Sequence, residues 1–244
     1  MKPILLKLIE ADVLRDEKWF RALRRLRLFR HIPFVEFALA AGSMAMDTAV
    51  KNSDIDVIVG AKCGRIFTAR LFSVAFFGVF GWRRRKPHDA LRAHGPENQD
   101  KICLNHFVTE KRYRLSSPYN EYWKRLYQTL VPIWGAPETL QKFAAANCEW
   151  IGVEMDIEKA LRDGDRRYLD IARPSLFKFL GEKILSGLLG DFFEHTAKRA
   201  QIRRIEKSIA QTSGYKPRMV YTDDELEFHP DTRRTENYFS KNLS

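Results

Sequence analysis

Asp54-Ile55-Asp56 runs directly into Val57-Ile58-Val59, which sets two acids at the head of an apolar stretch; alone, such a triplet also suits a strand end with both acids in water. The β-branched residues predict a strand, and alternate residues of a strand share a face. Two carboxylates then project together, about 7 Å apart, and repel each other unless a cation lies beside them. A hard divalent ion such as magnesium suits them, its other positions being filled by phosphate oxygens and water.

What precedes the triplet strengthens this reading. Phe34 to Ala41 reads as a strand that runs into Gly42-Ser43. Met44 to Val50 has the look of a short helix, and Asn52-Ser53 supply turn chemistry before Asp54. Gly42 allows close backbone approach to a phosphate, and Ser43 offers a hydroxyl and an N–H where a helix begins.

The rest of the chain divides by pattern. Residues 1–30 read as a helix, with Trp19, Phe20, Leu23 and Leu26 at helical spacing and Pro33 after it. A second helix is expected from about Arg65 to Phe80, then a basic loop, then a third strand over Ile102–Val108. After Thr109 the strands are expected to stop. Helices are expected over 119–131, 136–150 and 154–163, with one long helix from Ser175 to Gln211. Leu176, Leu180, Ile184, Leu188 and Phe192 would give that helix a core-facing stripe. The expected fold class is α+β: a small mixed sheet with packed helices over 1–112, an all-helical domain over 113–215, and an extended tail over 216–244.

Leu71 to Trp82 holds no charged residue and is followed by Arg83-Arg84-Arg85-Lys86. Twelve helical residues rise only about 18 Å, short of the roughly 30 Å bilayer core. A buried helix is therefore expected, with no transmembrane segment. The three cysteines show no paired spacing, which argues against a disulfide framework or a structural zinc site. With no signal-peptide pattern at the N-terminus, a cytoplasmic chain is expected. A net charge of +11 favours anionic partners: nucleoside triphosphate, RNA or an acidic membrane surface.

The run from Gly42 to Val59 resembles the signature of the DNA polymerase beta-type nucleotidyltransferase superfamily: Gly-Ser, a short helix, then Asp-hydrophobic-Asp on a strand. The resemblance covers residues 34–60 and extends plausibly to about 110. It implies that Asp54 and Asp56 ligate two magnesium ions and that Gly42 and Ser43 contact a nucleoside triphosphate. The implied reaction is in-line attack of an acceptor hydroxyl on the α-phosphate, with catalysis mainly positional and electrostatic. Ser53, Arg83, Arg84 and Arg85 complete the candidate nucleotide-binding set. The superfamily places a third acid on a neighbouring strand, but the third strand here has no carboxylate. Asp100 before it and Asn105 within it are the two candidates. The acceptor stays open: the charge favours a polyanion such as RNA over a small molecule or a protein hydroxyl. A catalytically silent, antitoxin-like binding or regulatory module is the alternative, because the third acid is missing.

Overall fold

The computed structural model describes residues 2–84, 96–116, 119–153, 174–210 and 218–229. Its centre is a six-stranded mixed sheet. In chain order the strands are β1 (Val35–Ala41), β2 (Ile55–Ala61), β3 (Ile102–Val108), β4 (Val131–Gly135), β5 (Arg218–Tyr221) and β6 (Glu225–His229). They lie side by side as β4-β1-β2-β3-β6-β5. Only β2 and β3 pair in parallel; the other neighbours are antiparallel. A parallel pair needs a crossover, and the connection carrying the helix Ile66–Val79 supplies it.

Among the described residues seven α-helices accompany the sheet: α1 (Lys2–Leu26), α2 (Gly42–Ala45), α3 (Ile66–Val79), α4 (Glu121–Gln128), α5 (Pro137–Ile151), α6 (Leu176–Ile184) and α7 (Gly187–Ala210). Period-two alternation sorts the strand residues between two apolar clusters. Ala38, Ala40, Ile55, Val57, Val59 and Phe107 belong to one, with Trp19 and Leu26 of α1, Phe67 of α3 and Ala197 of α7. Phe37, Leu39, Ile58 and Val108 belong to the other, with Trp123 of α4 and Phe143 of α5. Each fully buried phenylalanine adds roughly 1.5–3 kcal/mol of transfer free energy. The sheet is thus covered on both faces, with its acids placed among apolar neighbours.

Several expectations are corrected here. Strands do not stop at Thr109: β4 joins the edge of β1, and β5 and β6 build a hairpin beside β3. Residues beyond 112 therefore form half of the sheet rather than an all-helical unit, and the described part of the expected tail is sheet. The helix expected over 154–163 lies outside the described residues.

The long helix expected from Ser175 is two helices, α6 and α7, parted at Leu185-Ser186 before Gly187, whose φ is +72°. The break turns the leucine stripe away from the core. Leu176, Leu180, Ile184, Leu188 and Phe192 are exposed, Leu188 by 88%. Helix α7 instead buries Ala197, Gln201 and Ile205, spaced four apart. The 71–82 segment is not buried throughout either: Phe77 is buried, but Val79 is 84% exposed. Phe20, expected on the buried stripe of α1, is also exposed. Among the described residues no helix is long and apolar enough to cross a membrane.

Candidate active site

Strand β1 ends at Ala41, which pairs with Asp56 of β2, and the chain then turns at Gly42 with φ +67°. A β-carbon on Gly42 would stand 2.1 Å from Asp56 Oδ2, closer than any real contact. Only glycine lets the turn pass directly over this carboxylate. The helix that follows is the single turn α2, not the expected Met44–Val50, so it supplies little helix dipole. Ser43 lies within it, half-buried, and its carbonyl accepts from Thr48 N at 2.9 Å.

Ser53 shapes the approach to the acids. Its hydroxyl accepts from Val50 N at 2.9 Å, and its carbonyl accepts from Asp100 N and from Lys18 Nζ. The structure thus commits this side chain to the turn. Asp54 follows, buried, one residue before β2 begins. A carboxylate oxygen of Asp54, one of Asp56 and the sulfur of Cys103 all lie within 4.8 Å of one another. Cys103 reaches this position because it pairs with Asp56 across the parallel β2–β3 register.

The electrostatics follow from this crowding. Burial first, and then the neighbouring Asp54, push Asp56 up to about 7, against Arg84 and a hydrogen bond from Cys103. Burial, then Asp56 and Asp54, push the Cys103 thiol well above its ordinary range. Arg84 Nη1 approaches Asp54 Oδ2 to 2.9 Å and Cys103 Sγ to 3.6 Å. The first contact aligns charge without hydrogen-bond geometry, and Asp54 Oδ2 is buried with no hydrogen-bond donor among the described residues. Two adjacent carboxylates and a thiol, with one carboxylate oxygen buried and not hydrogen-bonded among the described residues, fit a divalent cation.

Neither expected third ligand joins this group. Asp100, with φ +56°, accepts from Lys18 Nζ and Arg21 Nη1, each at 2.7 Å, and its carbonyl accepts from Arg25. Burial would raise its pKa, but the hydrogen bonds from Lys18 and Arg21 hold it below the ordinary carboxylate value. It ties α1 to the turn before β3. Asn105 falls where the β2–β3 register shifts, between the pairs Asp56–Cys103 and Ile58–His106. The register therefore sets Cys103, not Asn105, opposite Asp56.

That shift has a second effect. It returns His106 to the face that carries Cys103 and Asp56, where the expected alternation from Asn105 would not have put it. His106, Glu225 and Glu227 are all buried there, with ligand atoms within 4.8 Å of one another. Ser116 Oγ donates to Glu225 Oε2 at 2.7 Å. The two glutamates come from a stretch that reads as a tail. Their alternation with Leu226 and Phe228 was the available signal, and it reads equally as a half-exposed strand.

The arginine run is split. Arg84 enters the acid cluster, while the charge of Arg83 acts, with that of Arg204, on Arg70 of α3. Burial first, and then Arg83 and Arg204, push Arg70 down to about 10. Arg85 lies outside the described residues. No family model, curated protein or solved structure matches the chain.

Proposed function

We propose that the chain is a cation-dependent nucleotidyltransferase. The observation that carries the reading is Gly42, whose missing side chain leaves the backbone of the β1–α2 turn directly over the Asp56 carboxylate, beside Asp54. A phosphate would approach that backbone, and Asp54 and Asp56 would hold the cation. When bound, the cation would neutralise charge on the triphosphate and on the leaving pyrophosphate.

The residues of the chain supply the placement. Asp54 and Asp56 fix the reacting end of the nucleotide at the start of β2. Lys18, through Ser53 and Asp100, fixes the turn that carries Asp54. In the reaction the acceptor oxygen bonds to the α-phosphorus as the α–β anhydride bond breaks. Pyrophosphate leaves, and the hydroxyl proton passes to solvent. A triphosphate also gives Arg84 an anionic partner in exchange for Asp54.

RNA is proposed as the acceptor. The charges of Arg83 and of Arg204, near the basic end of α7, both act on Arg70, and Arg199, Arg203 and Lys207 are exposed on α7. The test is incubation with each labelled nucleoside triphosphate, a divalent cation and RNA. Label should pass to RNA, and Asp54→Asn and Asp56→Asn should each abolish transfer while retaining the fold.

One observation favours a second reading. Arg84 stands against Asp54 and Cys103, a protein cation beside a site that lacks a third acid. In a catalytically silent binding module it would replace the metal. Triphosphate binding that depends on Asp54 and Asp56, without any transfer, would establish that reading instead.

A further inference from the structure

We infer that Cys103 is the third ligand of this centre, so that the site selects a thiophilic divalent cation, of the zinc or cobalt class, over magnesium. The inference rests on the reading of Asp54 and Asp56 as cation ligands and adds the sulfur to it. Three facts carry it. The sulfur and the two carboxylates lie within 4.8 Å of one another. Cys103 is set by sheet register rather than by a free loop, because it pairs with Asp56. It is buried, so no solvent-side rearrangement brings an alternative donor to its place.

Donor chemistry decides the metal. Magnesium demands hard oxygen ligands in near-octahedral geometry and takes thiolate poorly. A set of one sulfur and two carboxylates suits the borderline ions, and tetrahedral zinc accepts thiolate, carboxylate and an exchangeable position together. On binding, the sulfur–metal bond forms, the thiol proton leaves to solvent, and Arg84 gives up its place beside the sulfur and Asp54.

Cobalt(II) reports the ligand directly, since thiolate coordination gives a sulfur-to-cobalt charge-transfer band that oxygen and nitrogen ligands do not. The protein is studied with Cys63→Ser and Cys148→Ser, so that Cys103 is its one thiol. The other buried donor group, His106, Glu225 and Glu227, contains no sulfur and cannot produce the band. The band is expected on cobalt addition, lost in Asp56→Asn, and displaced by zinc but not by a large excess of magnesium. Cys103→Ser should remove the band and weaken cobalt by at least about tenfold, the loss typical even for a group that merely supports a ligand. Cys103→Asp should move the preference toward magnesium.

Cobalt binding that needs Asp54 and Asp56 but gives no band overturns the sulfur ligand and leaves the nucleotidyltransferase reading standing. No binding that depends on Asp54 or Asp56 for cobalt, zinc or magnesium overturns both. The band is read on the protein with its native Cys103, so the result does not hinge on how either Cys103 variant folds.

Discussion

Gly42, one residue past the Ala41–Asp56 pair that ends the β1–β2 ladder, turns directly against the Asp56 carboxylate. In Gly42→Ala the new methyl meets Asp56 Oδ2, and φ +67° adds the left-handed penalty of roughly 1–2 kcal/mol. The carboxylate is the softer party and moves aside. A modest fall in unfolding free energy should accompany a much larger loss of cation affinity, seen by comparing urea melts with metal titrations. Equal, small effects on both would remove Gly42 from the site.

A pH dependence follows from Asp56. Burial first, with Asp54 second, raises it to about 7 from an ordinary 3.8. Between those values the folded, cation-free protein retains a proton that the unfolded chain has released. Stability is therefore greatest below about pH 4 as far as this pair is concerned, and declines as pH rises toward about 7. Denaturant melts in chelator at pH 5 and pH 8 should show the decline, and Asp56→Asn should flatten it. Saturating cation should flatten it as well.

Arg84 competes with any metal at Asp54. In Arg84→Ala the cation should bind more tightly and the triphosphate more weakly, because one guanidinium serves two anionic partners in turn. Calorimetry of each ligand separates the two effects. A parallel loss of both would make Arg84 a prop of the fold.

Lys18 is buried with its ammonium on Asp100 and on the Ser53 carbonyl. Lys18→Met strands part of that carboxylate's charge, although Arg21 still holds the other oxygen at 2.7 Å. Breaking a buried pair costs about 3–5 kcal/mol, and the remaining arginine places this case at or below the lower end. The midpoint of urea unfolding is the measurement. A shift indistinguishable from wild type would show that α1 does not anchor this turn.

For RNA, the prediction concerns salt. Replacing Arg83 and Arg204 together should reduce the slope of log affinity against log salt by about one for each arginine that touches phosphate. Gel shifts over a salt series give the slope. An unchanged slope would move the RNA path elsewhere.

The β1–β3 core and the closeness of Gly42, Asp54 and Asp56 were legible because their cues are local: alternation, a glycine and a turn within one short stretch. Cys103 was not legible, because its role depends on register across a parallel pair whose strands are separated by α3. Asn105 looked better placed only while the strand was taken as regular; the bulge removes it. Asp100 had the right chemistry, but Lys18 and Arg21 come from a helix some eighty residues earlier, a partnership that spacing cannot reveal. Glu225 and Glu227 suggested solvent, since nothing local says that β6 will lie beside β3. The leucine stripe misled because the chain breaks at Leu185-Ser186 and a new helix starts at Gly187.

The placement of β6 beside β3 has a consequence for synthesis on the ribosome. Strand β3 emerges more than a hundred residues before Glu225 does, and until then one edge of the strand that bears Cys103 lacks its hydrogen-bonding neighbour. A nascent chain thus carries an open sheet edge next to two carboxylates, and such an edge invites pairing with other chains. The group of His106, Glu225 and Glu227 is complete only when the hairpin docks, so a chain halted before residue 218 would leave His106 and Val108 unpaired along that edge. Termination errors in this region would yield material prone to aggregate, rather than a smaller folded protein.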